Sequence, residues 1–404
     1  MNTTIDHRGG GGRALALVTL AAIIEGFDLQ SAGVAVPKLA PAFGLSPHQI
    51  GLFFSSATFG LIFGALIGGR IADAWGRRAG LVIALITFGI FSLATAMVTT
   101  FEQLIVIRFL TGIGLGGAFP NLVNIAAESV DPGRRGRAVA IMYAGVPFGG
   151  AIASGVAMMG LHGDDWHTIF IVGGILPLLI VPLLMIMLPP LTVPKREKRS
   201  SSAALAEVLS PSTLGTTMSL WVSFFLGLIV VYLLLNWMPQ LLVSRGLGKN
   251  EASLVQVLFN IGGVVGGLIG GQVLDRKSPG GPVALCFAAA AGALLVLGLL
   301  PASLAFMLIG GTLVGGAILC VQAILYGIAP QCYPFEVRGT GVGVAVAVGR
   351  LGSIAGPLLA GALVGAGATP SHVMFALVPI TLIAGMTTVL LLRRRHRAGA
   401  AQPA

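Results

Sequence analysis

Glu25 and Asp28 lie three residues apart in the run IIEGFDLQ, inside a stretch from Arg13 to Pro37 that is long and apolar enough to cross a bilayer. An i, i+3 spacing sets both acids on one side of a helix. A carboxylate at that depth costs at least ~2.5 kcal/mol, so each should face a partner or a wet cavity and not lipid. Two acids one turn apart repel when both are ionised, so at least one is expected to hold a proton readily near neutral pH. The chemistry they suggest is proton handling.

Two arginines, Arg108 and Arg350, also lie within apolar runs. At 1.5 Å per residue, Asp28 falls roughly 4 Å and Arg108 roughly 9 Å outward of the centres of their spans, a difference that a guanidinium bridges. An Asp28–Arg108 pair is therefore expected. Arg350 falls near the middle of its run in the other half of the chain, where the acids Glu251, Asp275 and Glu336 all sit near span ends. The guanidinium fork matches a carboxylate, so Arg350 is expected to take the carboxylate of an anionic substrate. Two acids and two arginines balance, so an anion arriving with a proton leaves the site neutral. The competing reading is that these four residues form ion pairs that only fix helix packing.

The elements holding these residues must be membrane helices. Only 9% of the 404 residues are charged and 55% are hydrophobic, against ~25% charged in a soluble domain. The apolar runs do not alternate as barrel strands would, and 59 glycines suit helices in close backbone contact. A net charge of +10 could suggest nucleic acid, but nearly all of it falls in alternate connections, around Arg77 and Arg78, Arg134 to Arg137, Lys195 to Arg199, Arg276 and Lys277, Arg338, and Arg393 to Arg397. Only Lys38, Arg245 and Lys249 lie in the other set. That asymmetry is the positive-inside pattern, which places both termini in the cytoplasm and makes a nucleic-acid partner unnecessary. Cys286, Cys320 and Cys332 have no metal-ligand spacing and are expected to act as small buried hydrophobes. No A-x-A-like cleavage site follows the first apolar run, so no cleavable signal is expected.

Twelve apolar runs occupy residues 14 to 392, and the polar stretch PPLTVPKREKRSSS divides them six and six. The expected organisation is a cytoplasmic tail over 1–12, a six-helix bundle over 13–188, a linker over 189–215, a second six-helix bundle over 216–392, and a basic cytoplasmic tail over 393–404. The halves also repeat. Gly68-Gly69-x-x-x-Asp73 recurs as Gly270-Gly271-x-x-x-Asp275, and Pro37 at the close of the first run recurs as Pro239 at the close of the seventh, both at half the chain's 404 residues. Arg135-Gly136 is answered by Arg338-Gly339. Internal repeats around a midplane site are how secondary transporters are built.

On these residues the chain resembles a known family. GGRIADAWGRR, Gly68 to Arg78, is similar to the loop 2–3 signature of the major facilitator superfamily, and GGQVLDR repeats it weakly. EGFDLQ, Glu25 to Gln30, resembles the acidic first-span motif of the aromatic acid:proton symporter branch. RFLTGIGLGGAFPN and GTGVGVAVAVGRLGSIAGPLLAG resemble that branch's fourth and eleventh spans. Many branch members have Asp at the first acidic position, where this chain has Glu25. The resemblance implies an all-α polytopic membrane protein of twelve helices in two six-helix bundles, the major facilitator fold. It implies a carrier, not an enzyme, that imports an aromatic carboxylate with protons across a bacterial inner membrane. It also implies that Asp73 latches the cytoplasmic side, against the start of the eleventh span near Arg338, with Arg77 and Arg78 either serving the same gate or anchoring as positive-inside charges. A non-aromatic organic acid, such as a dicarboxylate or a shikimate-like compound, is the alternative cargo, and a membrane sensor the alternative class.

The remaining candidates follow from what such a substrate needs. Rings from Phe27, Tyr143, Tyr232, Trp237, Phe259 or Tyr326 could wall an aromatic substrate, and Asn121, Asn236, Asn260 or Gln322 could bind a ring hydroxyl. For each of these, core packing competes. Tyr143 and Tyr326 lead because a phenol at depth needs a partner. Glu128 is expected to pair with Arg134 and Arg135. The six histidines all fall in tails, loops or span ends, which leaves the proton path to carboxylates. Gly112-x-Gly114-x-x-Gly117 spells a dinucleotide fingerprint but lies inside a span with no preceding strand, and no Walker A sequence appears. No cofactor or metal is expected. The expected partners are the small aromatic acid, protons and the lipid bilayer, with the chain acting as a monomer.

Overall fold

The computed structural model describes residues 10–131, 134–159, 165–188, 201–211, 213–274, 276, 279–334 and 337–400. Asp275, Glu336 and the basic run from Lys195 to Arg199 lie outside them. The helices are α1 (Gly10–Phe43), α2 (Pro47–Trp75), α3 (Arg77–Thr95), α4 (Phe101–Glu128), α5 (Arg135–Met158), α6 (His167–Met187), α7 (Ser201–Val208), α8 (Leu214–Ser244), α9 (Lys249–Leu274), α10 (Gly280–Leu299), α11 (Leu304–Ile328), α12 (Arg338–Gly365) and α13 (Pro370–Ala400). Among the described residues, twelve of these, all but α7, are long and apolar enough to cross a membrane. In hydrocarbon every backbone group must find its partner within the protein, and a helix supplies it within its own segment.

Sequence chemistry sets several boundaries. Ser46 and Gln49 close a capping box at the start of α2, with the Ser46 amide donating to Gln49 Oε1 at 2.9 Å. The turn from α2 to α3 is a single residue, Gly76, at φ 89°, which a side chain would strain. Within the signature only this glycine makes a turn, since Gly68 and Gly69 are helical. Pro37 and Pro239, expected to end their spans, do not. α1 continues through Pro37 and Pro41 to Phe43, and α8 through Pro239 to Ser244. A proline deep in a helix removes one backbone bond, and packed neighbours in a membrane protein tolerate that loss. The linker carries a short helix, α7, and the next span begins at Leu214.

The chain forms two compact units, one of α1–α6 with Gly248–Val257, the other of α7, α8, the remainder of α9, and α10–α13. Each is zipped by small residues. In the first, a Cβ at Gly64 would stand against the Ile113 carbonyl and one at Gly112 against the Ala57 carbonyl, binding α2 to α4, while Gly149 abuts the Ile23 carbonyl and binds α5 to α1. In the second, Gly266 meets Gly316 between α9 and α11, and Gly352 meets the Phe225 carbonyl between α12 and α8. Spans two and four, and one and five, thus pair in the first half as eight and ten, and seven and eleven, pair in the second. The glycines of the dinucleotide-like spelling do packing work: Gly114 lies against the Phe88 backbone and Gly117 against Gly68.

Candidate functional site

The close approach of α4 to α2 and α3 fixes Arg108, and that of α1 to α5 fixes the face of α1 that carries Asp28. Asp28 Oδ1 accepts a 2.7 Å hydrogen bond from Ser92 Oγ on α3. Its Oδ2 stands 3.7 Å from Arg108 Nη1. Gly173 on α6 makes room for this carboxylate, because a Cβ there would come within 3.3 Å of Oδ1. Arg108 lies between two rings, its Cζ 5.8 Å from the centre of Phe53 and 5.5 Å from that of Phe170. Asp28 is 0% exposed and Arg108 1%. Yet the pair is not fully bonded: among the described residues, Asp28 Oδ2 and the Nε and Nη1 of Arg108 complete no hydrogen bond. A sealed ion pair in that condition is a poor source of stability, because desolvation of both charges is incompletely offset. Glu25, one turn earlier on α1, is buried as well.

In the second unit Arg350 on α12 is half-buried. Its Nη1 donates to the Tyr232 hydroxyl on α8 at 2.5 Å, and its Cζ lies 5.9 Å from the Tyr232 ring centre. Tyr326 on α11 adjoins Arg350, Tyr232 and the Gln322 amide, and packs edge-on against Phe224 at 5.2 Å. The structure therefore gathers Arg350, Tyr326 and Gln322, and adds Tyr232 as the arginine's partner. From the sequence alone Tyr232 stands only as one possible ring wall. Its proximity was foreshadowed by the glycines around Arg350: Gly349 and Gly352, which let α12 lie directly on α8. Ser92, a small polar residue in the third apolar run, was missed altogether.

The other candidates are dispersed. Trp237 is not an open ring wall, because its Nε1 donates to the Pro357 carbonyl at 3.0 Å and its side chain is buried, tying α8 to α12. Asn260 is buried on α9. Tyr143 lies in the first unit, 6.0 Å edge-on from Phe119. Asn121 and Asn236 donate back to the Gly117 and Tyr232 carbonyls of their own helices.

Among the gate candidates, Glu128 pairs with Arg77 at 2.8 Å rather than with Arg134 and Arg135. The start of α3 and the end of α4 meet in space, whereas Arg135 opens the next helix and Arg134 stands at its cap. Arg78 donates to the Leu188 carbonyl at 2.9 Å and to that of Met185 at 3.3 Å, capping the carbonyl end of α6. Asp73 is exposed near the end of α2 and enters no ion pair among the described residues of its unit. Arg338 is the exposed first residue of α12.

Comparison with known proteins shows what the chain is similar to. A family model described as Major Facilitator Superfamily matches residues 18–357 and 251–404. The 3-(3-hydroxy-phenyl)propionate transporter of Escherichia coli is 42% identical over 95% of this chain and 94% of its own length. The gallate transporter of Pseudomonas putida is 32% identical over 87% and 85%, and the 4-hydroxybenzoate transporter PcaK of the same organism 31% over 92% and 90%. Among solved structures, a D-xylose-proton symporter matches with a TM-score of 0.76 at 19% identity, covering 94% of this chain and 96% of that one. A bacterial homologue of the lysosomal transporter Spinster matches with a TM-score of 0.74 at 18% identity, covering 96% and 98%.

Proposed function

The chain belongs to the major facilitator superfamily, a family of transporters and not of enzymes, and from that premise we propose that it imports an aromatic carboxylic acid together with protons by alternating access. The substrate class rests on the relatives, whose names specify hydroxylated aromatic acids. Proton coupling rests on one observation, the sealed and incompletely bonded pair of Asp28 and Arg108. In this reading a proton arriving from outside is taken by Glu25 or Asp28, which releases Arg108 from its counter-charge. Arg350 takes the substrate carboxylate, and the neutral loaded carrier reorients and discharges both inward. Asp73 and Arg338 serve the cytoplasmic gate, while Arg77, Arg78 and Glu128 hold the helix ends that frame it.

The positive-inside pattern supports placing the carrier in a bacterial inner membrane with both termini in the cytoplasm. Two six-helix bundles within one chain support a working monomer. The test is uptake by membrane vesicles of hydroxylated phenylpropionates, benzoates and cinnamates, with and without a protonophore. Accumulation of at least one aromatic acid that collapses with the protonophore is expected. Accumulation indifferent to the protonophore would overturn the coupling, and competition by succinate but by no aromatic acid would overturn the substrate class.

A further inference from the structure

On α3, Thr87 and Thr95 donate to carbonyls of their own helix four residues back, Ile83 at 2.8 Å and Phe91 at 2.9 Å. Ser92 lies between them, is 0% exposed, and turns to two other helices instead. Its Oγ stands 2.7 Å from Asp28 Oδ1 on α1 and 3.3 Å from the Phe170 carbonyl on α6. Gly173 lets α6 close over this junction, since a Cβ there would stand 3.2 Å from Ser92 Oγ and 3.3 Å from Asp28 Oδ1.

A hydroxyl carries one donor and two lone pairs, a set that matches both states of a carboxyl. While Asp28 is ionised, the Ser92 O–H donates to Oδ1 in a charge-assisted bond. Once a proton is added to Oδ1, that oxygen becomes the donor, Ser92 Oγ accepts from it, and the serine hydrogen swings to the Phe170 carbonyl. Oδ2 is the poorer seat for the proton, because it faces the Arg108 guanidinium at 3.7 Å, which has donors and no lone pair. The charged groups at this junction are Arg108 from α4 and, one turn back on α1, Glu25. α2, α3 and α6 carry their ionisable residues only in their first or last two turns, and α5 carries its own in its first three. We propose that Ser92 is a positioning residue for proton coupling, a hydroxyl that stays partnered whether Asp28 is ionised or protonated and that directs the proton to Asp28 Oδ1. This rests on the proposed function and deepens it.

The experiment measures the initial rate of uptake against external pH, at fixed internal pH, for an aromatic acid that wild type accumulates in vesicles. The variants are Ser92→Ala, which removes the hydroxyl, and Ser92→Cys, which replaces it with a weak donor of similar shape. A hydrogen bond to a charged acceptor is stronger than one to a neutral group, so losing it disfavours the ionised state. The external pH of half-maximal uptake should therefore move up by about one unit in Ser92→Ala and by less in Ser92→Cys. Substrate exchange at the acid end of the profile, where Asp28 is protonated, should stay within about threefold of wild type. A packing role alone would lower the rate at every pH and leave the midpoint in place. If Ser92→Ala does not reach the membrane, Ser92→Cys carries the test by the same upward movement. An unmoved midpoint in whichever variant is expressed, with accumulation still collapsed by the protonophore, would overturn the role of Ser92 and leave the proposed function standing. Wild-type accumulation indifferent to the protonophore would overturn both.

Discussion

Arg108 and Arg350 are the same residue type, each in the interior of a long apolar helix, yet their surroundings differ in kind. Arg108 is sealed between Phe53 and Phe170 and faces a carboxylate at 3.7 Å. Arg350 is half-buried, and its Nη1 donates to the hydroxyl of Tyr232. An arginine beside a carboxylate forms a unit of no net charge, and a single proton changes its state. An arginine beside a phenol keeps its positive charge and stays attractive to an anion. The two halves share a helix-packing scheme, and in the proposed reading they divide the labour of charge between them.

The largest expected effect comes from breaking the sealed pair. Arg108→Ala leaves a buried carboxylate without its counter-charge and should destabilise the protein by about 3–5 kcal/mol, visible as a lower melting temperature and poor membrane yield. Asp28→Asn removes the group that a proton would neutralise. It should abolish protonophore-sensitive accumulation while substrate exchange across the membrane persists. If Asp28→Asn and Glu25→Gln both concentrate substrate normally, the sealed region has no part in coupling and the comparison fails on that side.

Arg350→Lys addresses the open side. It keeps the charge and loses the planar fork, so KM for the acid should rise by about tenfold or more with melting temperature little changed. A smaller effect should follow from Tyr232→Phe, which removes one hydrogen bond and keeps the ring, costing about 1 kcal/mol or roughly fivefold in KM. If Arg350→Lys instead lowers stability as severely as Arg108→Ala, Arg350 is a packing residue and the contrast between the two arginines disappears.

How far this contrast was legible in the sequence depended on the kind of information it needed. The twelve spans were legible because a bilayer admits only continuous apolar helices, and the reach between Asp28 and Arg108 followed from depth along their axes. What could not be read was the angle around each axis. A helix that is apolar on all sides has no stripe to say which neighbour it meets, so Ser92 and Tyr232 could not be assigned as partners. Glu128 illustrates the same limit, because nearness in sequence pointed to Arg134 and Arg135 while antiparallel packing delivered Arg77. Pro37 and Pro239 misled in another way, since local preference predicted breaks that the packed bundle overrides. Trp237 looked like a ring wall because its depth suits one, and only its bond to the Pro357 carbonyl reveals a tie between helices.

The smallest expected effect concerns a charge outside the spans, and it isolates where pH dependence arises. Asp165 precedes α6; burial pushes its carboxyl up, but hydrogen bonds from the Thr168 hydroxyl and from the His167 amide and ring outweigh that and bring it down to about 2. A carboxylate depressed in the folded state contributes stability above its unfolded value of about 3.9 and loses it as pH falls from there through the folded value. Between pH 5.5 and 8 the Asp165 carboxyl therefore stays ionised. Asp165→Ala should lower the melting temperature slightly, for a loss of about 0.5–1 kcal/mol typical of a helix-start acceptor. The pH profile of uptake should be unchanged in Asp165→Ala and flattened in Asp28→Asn. A profile that moves with Asp165 would shift the pH sensitivity of transport from the sealed pair to the loop before α6.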